Sequence, residues 1–363
     1  MKEPTPDDNA KTKPAISPDT VKDLKAMAEN NKLKTQSEQL DTEDQKAETA
    51  WKAYAGYGEY YQRVNKERAE SAKVTIEKFG PGSEVTIIAS INVDPVTGEA
   101  IDGHDYRPEA QGHKDIEKAW QKYLAETPPE ERFVIFEGDS GEFDDRDVAI
   151  RERTEAGLLM YLADQSEVAR KTGEPTNKEV SEVLEKEGQP KELTALLFAL
   201  REQSLHGGDK SLPDDLSLYL YNQLVECGVE GFEPITPEQK EEIGADPQKL
   251  AELKDSISKY IATWNEVLLE AGLSQFTVGP DGSVGFENPV SSGELAKQCN
   301  PAAEGGLSEY FAKTVEVRDR HIFDTITDAT KAGKKPFVVY GGSHVVSLEP
   351  VLQEYYGGQQ VFE

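Results

Sequence analysis

Positive charge is what this chain lacks most. Its 40 Lys and Arg stand against 69 Asp and Glu, for a formal charge of −29 over 363 residues. Binding a nucleic acid means neutralising phosphates with clustered cations, so that balance argues against a nucleic-acid partner. It equally disfavours docking on an anionic membrane surface. Cysteine is nearly absent: only Cys227 and Cys299 occur, with neither CxxC nor Cys/His spacing. A structural zinc site is therefore not expected, and two reduced thiols are favoured over a disulfide. No apolar run reaches the length of a membrane span. The opening Met1-Lys2-Glu3-Pro4 is not followed by an apolar stretch. The expectation is a soluble cytoplasmic protein whose charge serves solubility.

Hydrophobic residues make up 36% of the chain, which allows one large domain or two modest ones. Residues 1–42 are rich in Pro, Asp, Lys, Asn and Thr, with few apolar anchors. They read as a disordered arm with a weak helix over 19–30, and as a place where a protein partner is recruited. Residues 43–73 turn helical. Trp51, Tyr54 and Tyr57 follow a helical stripe, which is read as packing against a core rather than as a stacking platform for bases.

From 74 to 363 the pattern alternates. Val74–Phe79 and Val85–Val93 flank Gly80-Pro81-Gly82 and predict a hairpin. A helix over 113–125 precedes the buried strand Phe133–Phe136, a helix over 147–164 follows it, and a short strand falls near 168–171. The stretch from about 177 to 305 is mostly helical, with a hairpin around Gly279-Pro280-Asp281-Gly282. A long helix over 307–332 leads to the strand Phe337–Tyr340. This order predicts an α/β fold: a mostly parallel sheet flanked by helices, with a helical insertion over the strand ends and a disordered or helical N-terminal arm. Phe133–Phe136 and Phe337–Tyr340 should be interior parallel strands ending at one edge.

Open α/β sheets bind ligands at the carboxyl ends of their strands. Three such ends carry polar residues: Ser90-Ile91-Asn92-Val93-Asp94, Glu137-Gly138-Asp139, and Gly341-Gly342-Ser343-His344. Glu137 and Asp139 suit metal ligation or an acid/base pair, against the plain alternative of a solvated strand end. Glu137 with His344 suits a divalent ion such as Mn or Zn. Glu155, inside the helix after the second buried strand, is by default a surface residue. Arg318 could clamp a carboxylate or phosphate, or pair on the surface with Glu316 or Asp319.

An ordered set of motifs then stands out: Phe133-Val134-Ile135-Phe136-Glu137-Gly138-Asp139, Glu155-Ala156-Gly157-Leu158-Leu159-Met160-Tyr161-Leu162-Ala163, Gly173-Glu174-Pro175, Arg318-Asp319-Arg320 and Gly341-Gly342-Ser343-His344. In this set and order the chain resembles the TraB/TIKI-like group of the erythromycin esterase/ChaN-like superfamily, over about 85–200 and 310–357. The resemblance implies a polar cleft lined by Glu137, Glu155, Glu174, Arg318 and His344. It further implies hydrolysis of a peptide with a divalent metal or of an ester without one. Another member of the group binds haem-like ligands. Glu137, Glu155, Arg318 and His344 would be catalytic, with Glu137 and His344 on the metal. Asn92, His104, Asp139, Glu174, Gly341, Gly342 and Ser343 would contact a small-molecule or peptide substrate. One departure is plain. Asn92 stands where the group's first strand ends in a histidine, with His104 and His113 as candidate substitutes. That departure carries the rival expectation of a non-catalytic ligand- or protein-binding member of the same fold. Convergence of Glu137, Glu155, Arg318 and His344 within one pocket favours the enzyme; scatter favours the rival.

Overall fold

The structure is a computed structural model that describes residues 43–54, 56, 75–79, 85–90, 92–93, 100–101, 106–205, 216–236, 238–239, 247–280, 282–288, 290–300 and 306–357. The expected arm over 1–42, its weak helix, Tyr57, the Gly80-Pro81-Gly82 turn and His104 lie outside the described residues. The chain divides into two units, residues 1–52 and 53–363. In the first, residues 43–51 are helical, and the Thr49 hydroxyl donates to the Gln45 carbonyl at 2.8 Å, one turn back.

The second unit is built on a five-stranded sheet. Its strands are β1 (Thr75–Phe79), β2 (Val85–Ser90), β5 (Arg132–Phe136), β6 (Arg170–Thr172) and β9 (Lys335–Gly341), with β3 (Asn92–Val93), β4 (Ala100–Ile101), β7 (Phe276–Val278) and β8 (Val284–Phe286) outside it. The order in space is β1-β2-β9-β5-β6. β2, β9, β5 and β6 are mutually parallel, and β1 adds an antiparallel edge. The last strand in sequence is thus the middle strand of the sheet. Its register with β2 runs from Thr86↔Phe337 to Ser90↔Gly341, and with β5 from Arg132↔Lys335 to Phe136↔Val339. Both predicted interior strands are present, parallel and level at their carboxyl ends. The reason is legible in Phe337-Val338-Val339-Tyr340, all at most 2% exposed. A strand buried on both faces needs an unbroken apolar run.

Helices cover the sheet. α1 (Gln111–Glu126) and α2 (Arg146–Gln165) share a core with Ile88, Val134, Phe136, Phe337 and Val339. The Trp120 ring meets Phe337 edge-on at 5.3 Å. Tyr123 ties this layer to the sheet: its hydroxyl donates to the Lys335 carbonyl at 2.7 Å and accepts from the Phe133 N–H at 2.9 Å. α9 (Ser308–Lys331) and α10 (Gly342–Tyr356) also pack on β9. The two-residue alternation of a strand directs Ile135, Val338 and Tyr340 to the face opposite Val134, Phe337 and Val339.

The insertion contributes α3 (Asn177–Lys186), α4 (Lys191–Leu205), α5 (Ser217–Glu226), α6 (Pro247–Ser258), α7 (Ile261–Glu270), α8 (Ser292–Gln298) and the β7–β8 hairpin. A capping box between Thr176 and Glu179 starts α3. The insertion has its own core around Leu196, Leu200, Leu224, Trp264 and Phe276, continued by Phe311 of α9. The Trp264 indole N–H is satisfied at 2.9 Å by the Glu192 carbonyl. Among the described residues no helix is long and apolar enough to cross a membrane.

Candidate functional site

The carboxyl ends of β5, β6 and β9 share one edge of the sheet, and the polar residues follow from it. Glu137 comes directly after β5. The chain then turns at Gly138, whose φ of +82° is the left-handed region that favours glycine. Glu174 comes just after β6, behind Gly173. A Cβ at Gly173 would collide with the Tyr340 hydroxyl, so only glycine lets β6 approach the central strand this closely. Gly341 ends β9 and is the residue before α10. Its N–H donates to Glu137 Oε2 at 2.8 Å, which places a carboxylate at the positive end of a helix. His344 sits in the first turn of α10 and is 4% exposed. Gly342 and Ser343 occupy the same buried turn.

One ligand atom each from Glu137, Glu174 and His344 lies within 4.8 Å of the others. Behind this cluster stands a relay. His344 Nδ1 is hydrogen-bonded to Asp319 Oδ1, and Asp319 Oδ2 accepts from the Tyr54 hydroxyl at 2.6 Å. Asp319 is wholly buried. The neighbouring residue on α9, Arg318, donates from Nε to Glu174 Oε2 at 2.8 Å. Consecutive residues of one helix thus hold two of the three cluster members, Glu174 and His344. The Tyr340 ring lies edge-on to the imidazole at 5.8 Å.

The charges are strongly coupled. Burial opposes ionisation of Glu174, but the Arg318 guanidinium overrides it and holds the carboxyl below its ordinary range. Burial likewise disfavours the Arg318 cation, yet Glu174 raises it. Burial would push His344 down; the Asp319 carboxylate wins and raises it. Tyr340 and Tyr54 are pushed up, first by burial and then by the carboxylates beside them, Glu174 for Tyr340 and Asp319 for Tyr54.

The donor set suits a divalent metal. Two carboxylates and an imidazole are borderline ligands of the kind Zn and Mn accept. A histidine whose other ring nitrogen meets a carboxylate is the usual supporting arrangement. Glu174 Oε1 is buried and has no hydrogen-bond partner, a cost that a cation in the cluster would remove.

The other expected residues fall as follows. Glu155 is no surface residue: it is 4% exposed. It begins the second half of α2 after a break at Thr154, whose φ of 55° and ψ of −133° are strained for a β-branched residue. Two residues on, a Cβ at Gly157 would strike the Ala149 carbonyl. Glu155 is not among the three clustered ligands. Arg318 takes Glu174 rather than either surface partner. Asp139 is the solvated strand end of the plain alternative, 90% exposed and 3.7 Å from Arg153. Asn92 lies in β3, which pairs with β4 apart from the five-stranded sheet. His113 is a core residue on α1, fully buried, with Nδ1 3.0 Å from the Arg107 carbonyl.

Three contributors were not singled out from sequence. Asp319 lies inside the Arg318-Asp319-Arg320 motif, where sequence alone offers it only as a surface partner. The helical stripe gives Tyr54 a packing role only, although a phenol on a buried stripe must find a partner for its hydroxyl. Arg201, on α4, shares with Glu174 and Arg318 the lining of a cleft of about 610 Å³. Its only signal is its place directly after the apolar run Leu196–Leu200. Comparison of the chain with protein-family models, curated proteins and solved structures yields no match.

Proposed function

We propose that the chain is a hydrolase of the TraB/TIKI-like type, acting on an ester or peptide bond at the Glu137–Glu174–His344 cluster. The observation that carries this reading is the convergence of those three side chains, with Asp319 fixed behind His344. Asp319 engages Nδ1 and fixes the ring's orientation, so Nε2 is the nitrogen that works on substrate. In the reaction, a water molecule adds to the acyl carbon while His344 takes its proton. Asp319 stabilises the imidazolium that forms, and the proton then passes to the leaving oxygen or nitrogen. The products are an acid and an alcohol or amine. Arg318, locked against Glu174, provides fixed positive charge for the oxygen that becomes negative. Glu137, held by the Gly341 N–H, keeps the approaching water oriented. The alternative within this reading is a divalent metal, Mn or Zn: Glu137, Glu174 and His344 Nε2 would hold it, it would supply polarisation of the acyl oxygen and a more acidic water, and His344 would then be a ligand instead of the base.

The test is a screen of ester and peptide substrates with the purified full chain, alongside metal analysis and a chelated sample. Hydrolysis that Glu137→Gln lowers by about 10²-fold or more supports the reading. Turnover unaffected by Glu137→Gln, or no turnover of any substrate with or without added Mn and Zn, sinks it and leaves the non-catalytic binding protein.

A further inference from the structure

Asp319 is wholly buried, so both of its carboxylate oxygens need partners inside the protein. His344 Nδ1 takes Oδ1, and the Tyr54 hydroxyl donates to Oδ2 at 2.6 Å. With Oδ2 unmet, the carboxylate would be left under-satisfied and free to turn either oxygen toward the imidazole. The phenol removes that freedom. It is also a constant donor: burial first, and then the Asp319 charge, push its pKa up, so the hydroxyl keeps its proton. The three groups come from three separate parts of the chain. Asp319 lies on α9 and His344 on α10. Tyr54 stands 265 positions before Asp319, and it is the second residue of the unit that begins at Ala53. The clustered ligands Glu137, Glu174 and His344 all lie far beyond it in sequence.

From this connection we infer that Tyr54 is a positioning residue of the site: through Asp319 it fixes the His344 ring, so the N-terminal end of this unit completes the centre. Tyr54 itself touches no reacting atom. The inference rests on the hydrolytic reading only for its effect on rate. It holds equally for His344 as base or as metal ligand, since either role uses Nε2 while Nδ1 stays on Asp319. A Tyr54 that merely filled space beside α9 would leave His344 indifferent to its hydroxyl. Tyr54→Phe separates the two roles, because it keeps the ring and removes the hydroxyl alone.

The experiment compares the full chain as wild type, Tyr54→Phe and His344→Ala, each checked by circular dichroism, with two readouts. The first needs no substrate: proton NMR of the low-field resonance from the imidazole N–H on Asp319, identified by its loss in His344→Ala. Tyr54→Phe should move this resonance. The second is kcat and KM on the best substrate of the ester and peptide screen. Tyr54→Phe should lower kcat by about 10–100-fold, as loss of a supporting partner does, with KM little changed. An unmoved resonance overturns the inference whatever happens to the rate, because the loss would then not run through Asp319. A wild-type spectrum with no low-field resonance that His344→Ala removes overturns it as well. So does a Tyr54→Phe protein that fails to fold, which would make the hydroxyl structural. The two readings fail separately. A moved resonance with no hydrolysis by wild type leaves Tyr54 as the residue that positions His344 and removes the hydrolytic reading alone. Hydrolysis by wild type that Tyr54→Phe lowers by less than about tenfold removes the role of Tyr54 alone.

Discussion

At the scale of single residues, Asp319 has the most to explain. It is wholly buried, and it accepts from Tyr54 while holding His344. In the proposed reaction it touches no reacting atom and acts as a positioning residue. Asp319→Asn should lower kcat by about 10²–10⁴-fold with KM little changed, because the imidazole loses its fixed orientation and the support of its charged form. Asp319→Glu should recover part of kcat if a carboxylate is what matters. Equal loss in both, accompanied by loss of the folded signal, would make Asp319 merely structural. The Glu174–Arg318 pair makes a different claim, on stability. Both side chains are largely buried, at 14% and 13% exposed. Arg318→Met alone should destabilise by about 3–5 kcal/mol, since it strands a buried carboxylate. The double change Glu174→Leu with Arg318→Met should restore much of that, because desolvation of both charges is avoided. Denaturant titration of the single and double variants checks this; an additive double variant would contradict it.

At the scale of elements, one phenol locks α1, β5 and β9 together. Tyr123 bridges the Phe133 N–H and the Lys335 carbonyl, the starts of neighbouring strands. Tyr123→Phe leaves both backbone groups without their side-chain partner and should cost about 1–3 kcal/mol in denaturant melts. Burial raises the Tyr123 pKa from 10.0 to about 12, even though the Phe133 hydrogen bond pulls the other way. The folded state therefore keeps this proton longer than the unfolded chain does. Its contribution is complete below pH 10 and is lost as pH rises toward about 12. Wild type should lose thermal stability over that window more steeply than Tyr123→Phe; matching alkaline profiles would refute the role. Much at this scale was legible in the sequence. Phe133–Phe136 and Phe337–Tyr340 announced themselves as β-branched and aromatic runs, and their common edge followed from alternation with helices. The placement of β9 between β2 and β5 was not legible, because spatial strand order is set by crossovers that local patterns do not record. The same limit applied to the site. Glu137, Glu174 and His344 could be found because they sit at strand ends. Tyr54 and Arg201 could not, because their partners come from distant segments and no spacing rule links them.

At the scale of the whole molecule, residues of the sheet edge and of the insertion line one cleft. The sheet edge gathers Glu137, Glu174 and His344, and the insertion brings Arg201 to the cleft beside them. His344 is the most exacting point of the proposed hydrolytic centre. The most direct measurement is kcat of His344→Ala against wild type on the best substrate from an ester and peptide screen, with the fold of both proteins verified by circular dichroism. The expected result is a fall of about 10²–10⁴-fold in kcat with the folded spectrum retained. A folded His344→Ala protein that turns over at the wild-type rate would contradict it.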